Sequence, residues 1–533
     1  TTVKNCNITM GSMSNTTARG IYLIYSNFSN ILNNNATAGY GIYLDSSSNN
    51  TLTNNTGTSD SGRGIYFITS LNNTLTNNIG TSTSNSGISL SSSSNNILTN
   101  NTGTSTSNYG IYFDSSNNNI LINNTGTSTS NYGIYLTTSS NNNLTNNIGT
   151  SNSNYGIYFD SSSNNILINN TGISSLTGII LYSSSNNILI NNRGTSSGGN
   201  TGITIRTSSN NNILINNTGT SNSGFGIYLY ETNNNTLINT RATGSTGLSI
   251  SNTNNTLIQD CINISGASLD VINDAYSYNT TFINCSYDIS KETVNESSTL
   301  TRKWYYRVYT NDTSGNNVIA QVNATNKTGN FEFSIDTNSS GWTNITNITD
   351  YVSNGTRTYY SNYTIRAYNS SYETSSHTYN ASLGNNLYDY FTFLPSVLLT
   401  NCSNLTLANT LYILNNNIVN HQITDICMNI SAQNITLNCQ GYAIYSIKNV
   451  TAVFSNQLNT TVKNCNITMG GTIANQQKFN ASIYFFGANY SNIINNNVTS
   501  KVGIYLLSSS NNTLINNKAL GNQTYSYGIF LNY

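Results

Sequence analysis

Residues 108–130 read NYGIYFDSSNNNILINNTGTSTS, residues 131–153 read NYGIYLTTSSNNNLTNNIGTSNS, and at residue 154 NYGIYFDSS begins again. A 23-residue sentence repeated without a gap is one structural unit stacked on itself. Outward from this stretch, a glycine followed by an aliphatic residue recurs at Gly20, Gly41, Gly64, Gly87, Gly110, Gly133, Gly156, Gly178, Gly202, Gly226 and Gly247, at spacings of 21 to 24. A leucine column runs beside it from Leu52 through Leu75, Leu98, Leu121, Leu144, Leu167, Leu189, Leu214 and Leu237 to Leu257.

In GIYF and GIYL the first and third residues after glycine are apolar, and period-two alternation means strand. The runs are short, Ser, Asn, Thr and Gly separate them, and strong helix formers are nearly absent. A coil of this length with two or three short strands, each pairing with its counterpart one turn on, is a parallel β-helix. At about 4.8 Å per coil, eleven coils make a rod of roughly 50 Å. A leucine-rich repeat has a similar period, but its LxxLxLxxN pattern and helical return segment are missing.

Two residues after each leucine except the last stands an asparagine: Asn54, Asn77, Asn100, Asn123, Asn146, Asn169, Asn191, Asn216 and Asn239. The column is read as facing inward at a bend of the coil. An inward asparagine can bond its amide to the same side chain one coil away, which predicts a buried ladder. The simpler reading is that these asparagines are turn formers, favoured because they tolerate left-handed backbone.

The chain has 533 residues, too many for one ordinary globular core, but a solenoid has no such limit because each repeat touches only its neighbours. Only 7% of residues are charged, 18 basic against 18 acidic, so no basic face for nucleic acid or anionic lipid can be assembled. No apolar run approaches a membrane span.

Thr1–Met10, TTVKNCNITM, recurs unchanged as Thr460–Met469, and the coils that follow are similar in both places. A second, larger repeat of about 460 residues therefore overlies the first, with the expectation that the architecture extends beyond this chain or that its two ends resemble each other. Between Asp270 and Pro395 the short rhythm stops. Here KWYYRVY, NVIAQVNAT, FEFSI, YYSNYTIRAY, SHTYNASL and YDYFTFL read as alternating strands, with DTSGNN and NSSGW as turns. The expected division is a parallel β-helix over 1–290, an Ig-like or prealbumin-like β-sandwich over 291–394, and a second parallel β-helix over 395–533.

NDTSGNNVIAQVNATN, DTNSSGW and YTIRAYNSSYE resemble the carboxypeptidase-regulatory-like domains found as spacers in secreted proteins. LANTLYILNNNIVNHQITDICMNISAQNITLNCQGYAI, after the sole proline, looks like the opening coils of NosD-like β-helix repeat proteins common on archaeal surfaces. With the coil repeats, that resemblance covers most of the chain. It implies an all-β fold, a right-handed parallel β-helix solenoid interrupted by a sandwich, and says little about activity.

The cysteines fit such coils. Cys261 and Cys285 are 24 apart, Cys402 and Cys427 25, and Cys439 and Cys465 26, one coil in each case. In-register residues on adjacent parallel strands lie within disulfide reach, so three coil-to-coil disulfides are predicted, against the alternative of buried free thiols. Cys6, the counterpart of Cys465, is left over. Disulfides would place the protein outside the cytoplasm. Sequons are abundant; those at Asn311, Asn326, Asn344, Asn354 and Asn362 are the N-glycan candidates, whereas those on the asparagine column should be unmodified if that column is inward.

Chemistry is poorly represented. Asp45, Asp114 and Asp160 share a column, but Ile68, Ser91 and Thr137 intervene, so turn capping is a better reading than glycan cleavage by a paired carboxylate. His377 and His421 lie in different segments and there are four methionines, too few for a copper site. No catalytic residue, cofactor or metal is expected.

One surface feature remains. The tyrosine after Ile in GIY points outward and gives a column of Tyr22, Tyr43, Tyr66, Tyr112, Tyr135, Tyr158 and Tyr228; a second column, Tyr40, Tyr109, Tyr132, Tyr155 and Phe225, precedes the glycine. A continuous aromatic stripe marks an interface with another rod or with sugar rings, unless the tyrosines only stack on themselves. The function expected is a structural, glycosylated extracellular protein that polymerises with itself into a cell-surface filament, sheath or S-layer; the alternative is a carbohydrate-binding surface adhesin. Its expected partners are copies of itself, covalent N-glycans and surface carbohydrate.

Overall fold

The computed structural model describes residues 1–10, 17–369, 372, 375–419, 425–448, 450–470 and 481–532. It divides into two compact units. The first comprises residues 1–305, 347–361 and 380–387, and the second residues 306–346, 362–379 and 388–533.

The first unit is a three-sided solenoid. One coil consists of strands Ile97–Thr99, Thr102–Ser105 and Ile111–Asp114. Each strand pairs in parallel and in register with its counterpart one coil on, Leu98 with Leu121, Thr104 with Thr127 and Phe113 with Leu136. The same pairing runs back to Thr2–Lys4 and on to Leu300. The leucine column as far as Leu237, the isoleucine after glycine and the Phe or Leu two residues further on point inward, and Leu98, Ile111 and Phe113 are wholly buried. The expected last member, Leu257, faces outward, half-buried, and Ile258 takes the inward place opposite Leu237. Each contributes about 1.5–3 kcal/mol by burial, and because the columns are continuous every coil seals the next.

Two glycine columns make the tight cross-section possible. A Cβ on Gly103 would lie 2.2 Å from the carbonyl oxygen of Gly110, and one on Gly110 would lie 2.2 Å from the backbone nitrogen of Thr127. Opposite walls of the coil touch through backbone here, so the TGTS glycines, which the periodicity of GIY alone does not reveal, are as necessary as those before isoleucine.

The asparagine ladder exists, one residue later than the expected column, whose own members are turn formers. Asn54, Asn77, Asn100, Asn123, Asn146, Asn169, Asn191 and Asn216 are exposed, Asn239 is half-buried, and all nine have left-handed backbone, with φ 53° to 57°. A left-handed residue turns the corner between two strands and resets the alternation, so the following side chain enters the core. The buried ladder is therefore Asn34, Asn55, Asn78, Asn101, Asn124, Asn147, Asn170, Asn192 and Asn217. The Nδ2 of Asn124 donates to Asn147 Oδ1 at 3.0 Å and to the Leu98 carbonyl at 2.8 Å. A second buried column, Asn50, Asn73, Asn96, Asn119, Asn142, Asn165, Asn187, Asn212 and Asn235, lines another corner, with Asn50 donating to Asn73 at 3.1 Å. At that corner the backbone N–H groups of Ser47, Ser70 and Ser93 donate to the serine hydroxyl of the next coil. Most buried polar atoms of these corners are thus satisfied by translation along the rod, with the Nδ2 of Asn119 and of Asn142 as exceptions in the second column.

At the far end of this unit the core closes on a polar cluster. Glu292, whose side chain is 1% exposed, accepts hydrogen bonds from the Tyr287 and Tyr351 hydroxyls and from Arg357 Nε at 2.9 Å. Burial above all, with the neighbouring Glu292 and Tyr351, holds the Tyr287 phenol well above its ordinary range. Arg302, 5% exposed, lies over Tyr287 and Trp304 and 3.9 Å from Asp350. Sequence reasoning missed this cluster because its members come from two segments, 287–304 and 350–357, separated by about forty-five residues.

In the second unit, Phe331–Asp336, Gln321–Thr325, Tyr363–Tyr368 and Ser375–Tyr379 form, in that order, a four-stranded antiparallel sheet. Leu387–Phe393 alternates buried and exposed along its length. The remainder returns to the solenoid plan, with parallel sheets of six, six and five strands. Asn496 donates to Asn517 at 3.0 Å, so the ladder is rebuilt.

Disulfides join Cys261 to Cys285, Cys402 to Cys427 and Cys439 to Cys465, at Cα separations of 4.7, 4.5 and 4.7 Å. Cys6 is free and exposed. Among the described residues no helix is long and apolar enough to cross a membrane.

Candidate interaction site

The GIY strands place their tyrosines in register: Tyr112 pairs with Tyr135 and Tyr135 with Tyr158. Because neighbouring parallel strands lie at nearly the stacking distance of two rings, the rings pile face to face. Centroids are 5.3 Å apart for Tyr112 and Tyr135 and 4.9 Å for Tyr135 and Tyr158, with planes tilted by 18° and 11°. The tyrosines before glycine form a second layer. Tyr109, Tyr132 and Tyr155 stack at 5.3 and 5.1 Å, and Tyr132 meets Tyr158 edge-on at 76°.

A shorter stack contains Tyr22, Tyr43 and Tyr66, with centroid separations of 5.1 and 5.0 Å and Tyr40 laid against it. Arginines lie over its terminal rings, Arg19 at 4.3 Å from Tyr22 and Arg63 at 4.1 Å from Tyr66. The stripe is not continuous, as expected from the sequence, but segmented. Ser89 stands in register between Tyr66 and Tyr112, and Ile180 and Thr204 separate Tyr158 from Tyr228, which packs with Phe225 and Tyr230. Nor is it an open apolar surface, since Tyr43, Tyr66 and Tyr158 are each 8% exposed and only Tyr22, at 37%, stands clear. The tyrosines bury one another, which alternation along a strand cannot reveal.

Burial pushes the phenols of Tyr112 and Tyr132 up to about 12, helped at Tyr112 by the Asp114 carboxylate and at Tyr132 by Tyr155. Tyr135 and Tyr158 are raised further, again chiefly by burial. Protonated at neutral pH, these phenols offer flat faces and hydroxyl rows rather than nucleophiles.

The carboxylates beside the stack serve the corners. Asp45, Asp114 and Asp160 each accept from the hydroxyl of the next serine, at 2.9, 3.0 and 3.0 Å, and Tyr135 donates to Asp160 at 3.4 Å. Thr137 lies in register between Asp114 and Asp160, so the two are separated by two coils, roughly 10 Å. His377 bonds to Asp389 at 2.9 Å and stacks on Phe391; His421 lies outside the described residues. Among the described residues no three His, Cys, Asp or Glu side chains gather where they could hold a metal.

Of the glycan candidates, Asn344, Asn354 and Asn362 are exposed and Asn311 is half-buried. Asn326 is 8% exposed, and its Oδ1 accepts from the backbone of Thr328 and Asn330, so the expectation of an exposed loop site fails there. The outward turn of Asn54, Asn100, Asn123, Asn169 and Asn216 likewise removes the reason to exclude their sequons.

The description "right handed beta helix region" matches residues 17–172. With the parallel register, it makes the solenoid a right-handed parallel β-helix. No curated protein matches the sequence. Among solved structures the chain is similar to the A-module of mannuronan C-5 epimerase AlgE6 of Azotobacter vinelandii, at 12% identity and a TM-score of 0.27, over 52% of this chain and 84% of that one. It is also similar to the Streptococcus pneumoniae surface protein and adhesin PfbA, at 11% identity and a TM-score of 0.11, over 97% of this chain and 90% of that one. Likenesses of this strength carry no argument about activity.

Proposed function

We propose that the protein is a structural, glycosylated extracellular protein, built of β-helical rods separated by Ig-like or prealbumin-like spacers, that assembles with itself into a cell-surface filament, sheath or S-layer. The observation that carries this reading is the large repeat. TTVKNCNITM at residues 1–10 returns at 460–469, and in both places it leads into coils of the same kind. One period therefore contains a solenoid and an inserted antiparallel segment, the modular plan of an extended array. The three disulfides support an oxidising, extracytoplasmic setting. Register-perfect internal ladders suit a load-bearing, protease-resistant rod.

A second reading is a carbohydrate-binding adhesin. The half-exposed outer tyrosines Tyr109, Tyr132 and Tyr155 favour it, because a flat row of phenols is a stacking platform for sugar rings. Electron microscopy of native material separates the two. Filaments or lattices with a spacing that matches one rod plus one spacer support assembly, whereas dispersed monomers that bind glycan arrays transfer the assignment to the adhesin.

A further inference from the structure

At its start the outer aromatic column is charged. The position before glycine, filled by Tyr109, Tyr132 and Tyr155 further along, holds Arg19, Tyr40 and Arg63. Arg19 pairs with Tyr40, and the register of Ile42 with Ile65 sets Arg63 beside Tyr40 on the other side. One tyrosine therefore stands between two arginines that are two coils, roughly 10 Å, apart. Beneath them runs the inner stack of Tyr22, Tyr43 and Tyr66. Tyr40 lies against Tyr43 and Tyr66, with centroids at 5.3 and 5.8 Å, and is half-buried, so one ring face is covered and the other is turned to solvent.

Both guanidiniums are held flat by the rings. The Cζ of Arg19 is 4.3 Å from the Tyr22 centroid and 4.9 Å from that of Tyr43, and the Cζ of Arg63 is 4.1 Å from Tyr66. Stacking occupies the face of a guanidinium and leaves its in-plane N–H donors unused. The three ion pairs among the described residues include neither arginine, and the Nε of Arg63, shielded from water, has no hydrogen-bond partner. The acids nearest in sequence are engaged elsewhere. Asp45 accepts from Ser46 at 2.9 Å and from Tyr22 at 3.4 Å, and Asp60 accepts from Thr83 at 3.2 Å.

We infer that Arg19, Tyr40 and Arg63 bind an acidic polysaccharide, a chain of uronic acid sugars laid along the rod. Each oriented guanidinium meets a planar carboxylate through two parallel N–H donors, and the apolar face of the sugar ring between them packs on the open face of Tyr40. In an extended β-1,4-linked chain every second ring turns its carboxylate to the same side, and arginine likewise stands in every second coil here. That distance is set by which coils carry arginine, not by the strand spacing alone. A neutral sugar would leave both guanidiniums unpaired. Nucleic acid fits worse, because Asp45 and Asp60 balance the two arginines and binding to a phosphate backbone draws on many uncompensated cations. The inference goes beyond the structural reading and does not depend on self-assembly, and it uses other coils than those of Tyr109, Tyr132 and Tyr155.

The test is isothermal titration calorimetry of the full chain at low salt with two sugars of equal length that differ only in carboxylate against hydroxymethyl, a β-1,4-glucuronic acid hexamer and cellohexaose. The wild type should bind the acidic hexamer, and cellohexaose at least about tenfold more weakly. Arg19→Gln/Arg63→Gln should weaken the acidic hexamer by about 30-fold or more. Arg19→Lys/Arg63→Lys, which keeps the charge and loses the fork, should weaken it by about fivefold, and Tyr40→Ala by about tenfold. The control is Arg193→Gln/Arg241→Gln, two exposed arginines that are also two coils apart but have Thr218 instead of a ring between them; it should change binding by less than about twofold. Unchanged circular dichroism melting verifies that each variant is folded. A wild type that ignores the acidic hexamer, or binds both sugars equally, overturns the assignment. So does a glutamine variant of Arg19 and Arg63 that binds as wild type, or a control that loses as much, since the effect would then be diffuse charge. Filament formation is a separate readout that the Arg19 and Arg63 variants should leave unchanged.

Discussion

The side-chain amide of Asn101 donates to the Oδ1 of Asn124, one coil away, at 3.0 Å, and the backbone N–H of the same Asn101 donates to the same oxygen at 2.9 Å. The remaining amide hydrogen of Asn101 goes to the Leu75 carbonyl, one coil in the other direction, at 3.0 Å. A single side chain therefore ties three consecutive coils and leaves no buried polar atom of its own unpaired. Between such corners the strands need to supply only apolar contacts.

Replacement of one rung leaves its partners stranded. Asn124→Ala removes the acceptor of Asn101 and uncovers the Leu98 carbonyl, so we expect a loss of about 3 kcal/mol. Asn123→Gly, at the adjacent exposed left-handed corner, should cost under about 1 kcal/mol because glycine adopts that backbone freely. A solenoid opens in segments, so hydrogen exchange of the amides in the three coils around residue 124 is the measurement. Equal protection in both variants would remove the ladder from the account.

Much of this fold is legible from one dimension. The period, the inward leucines and the one-coil spacing of the cysteines all follow from stacking identical units, because in-register pairing converts sequence spacing directly into position. The ladder lies one residue beyond the expected column because Asn123, with φ 55°, itself turns the corner and hands the inward position to Asn124. The exposure of the tyrosines was illegible for a different reason. Tyr158 points outward as expected, yet other rings cover it, and that burial depends on rotamers and on neighbours a whole coil away. The buried Glu292 lay beyond reach, since nothing near it announces Tyr351 or Arg357.

The second glycine column supplies a steric test. A Cβ on Gly126 would stand 2.2 Å from the Gly133 carbonyl oxygen and 2.8 Å from Ile134 Cγ1, both held by the core. Gly126→Ala should therefore cost about 3 kcal/mol and lower soluble yield. Gly315→Ala makes the comparison. With φ +86° and nothing within 4 Å of its Cβ, it should lose only the roughly 1–2 kcal/mol of left-handed backbone. Thermal melting of the two variants side by side decides whether close approach or conformation governs the TGTS glycines.

The stacked phenols make stability depend on alkaline pH. An unfolded tyrosine ionises near pH 10, whereas Tyr112 and Tyr132 in the fold are pushed up to about 12, mainly by burial. The folded state thus holds protons that the unfolded state has lost, and stability falls as pH rises between these values. The contribution is complete below pH 10 and gone above about 12. Tyrosinate absorbance should show a late-ionising class that titrates together with loss of the solenoid's circular dichroism, and Tyr112→Phe/Tyr132→Phe should shrink that class. Titration of every tyrosine near pH 10 with the fold intact would contradict the stacking.

Removal of the Glu292 carboxylate should loosen the end of the first solenoid. Glu292→Ala deprives the partly exposed Arg357 and two tyrosine hydroxyls of their common acceptor, and leaving those donors without it costs about 1–3 kcal/mol. Limited proteolysis should then cut between residues 285 and 305 while the coils around residue 124 stay protected. A variant as resistant as wild type would show that the apolar core closes this end unaided.

Thiol counting tests the coil-to-coil staples. The chain has seven cysteines, and three disulfides leave Cys6 alone and exposed. Alkylation of unreduced protein in denaturant should add one label, and alkylation after reduction seven. Three or more labels before reduction would mean that at least one pair is open. Closure of a 24-residue loop by Cys261 and Cys285 stabilises the fold by about 3 kcal/mol, chiefly by restricting the unfolded chain. Cys261→Ser/Cys285→Ser should therefore lose about that amount, with the loss concentrated in the coils between residues 257 and 303. The parallel register already sets these Cα atoms 4.7 Å apart, so the coils should still pair in the variant and only their resistance to unfolding should fall.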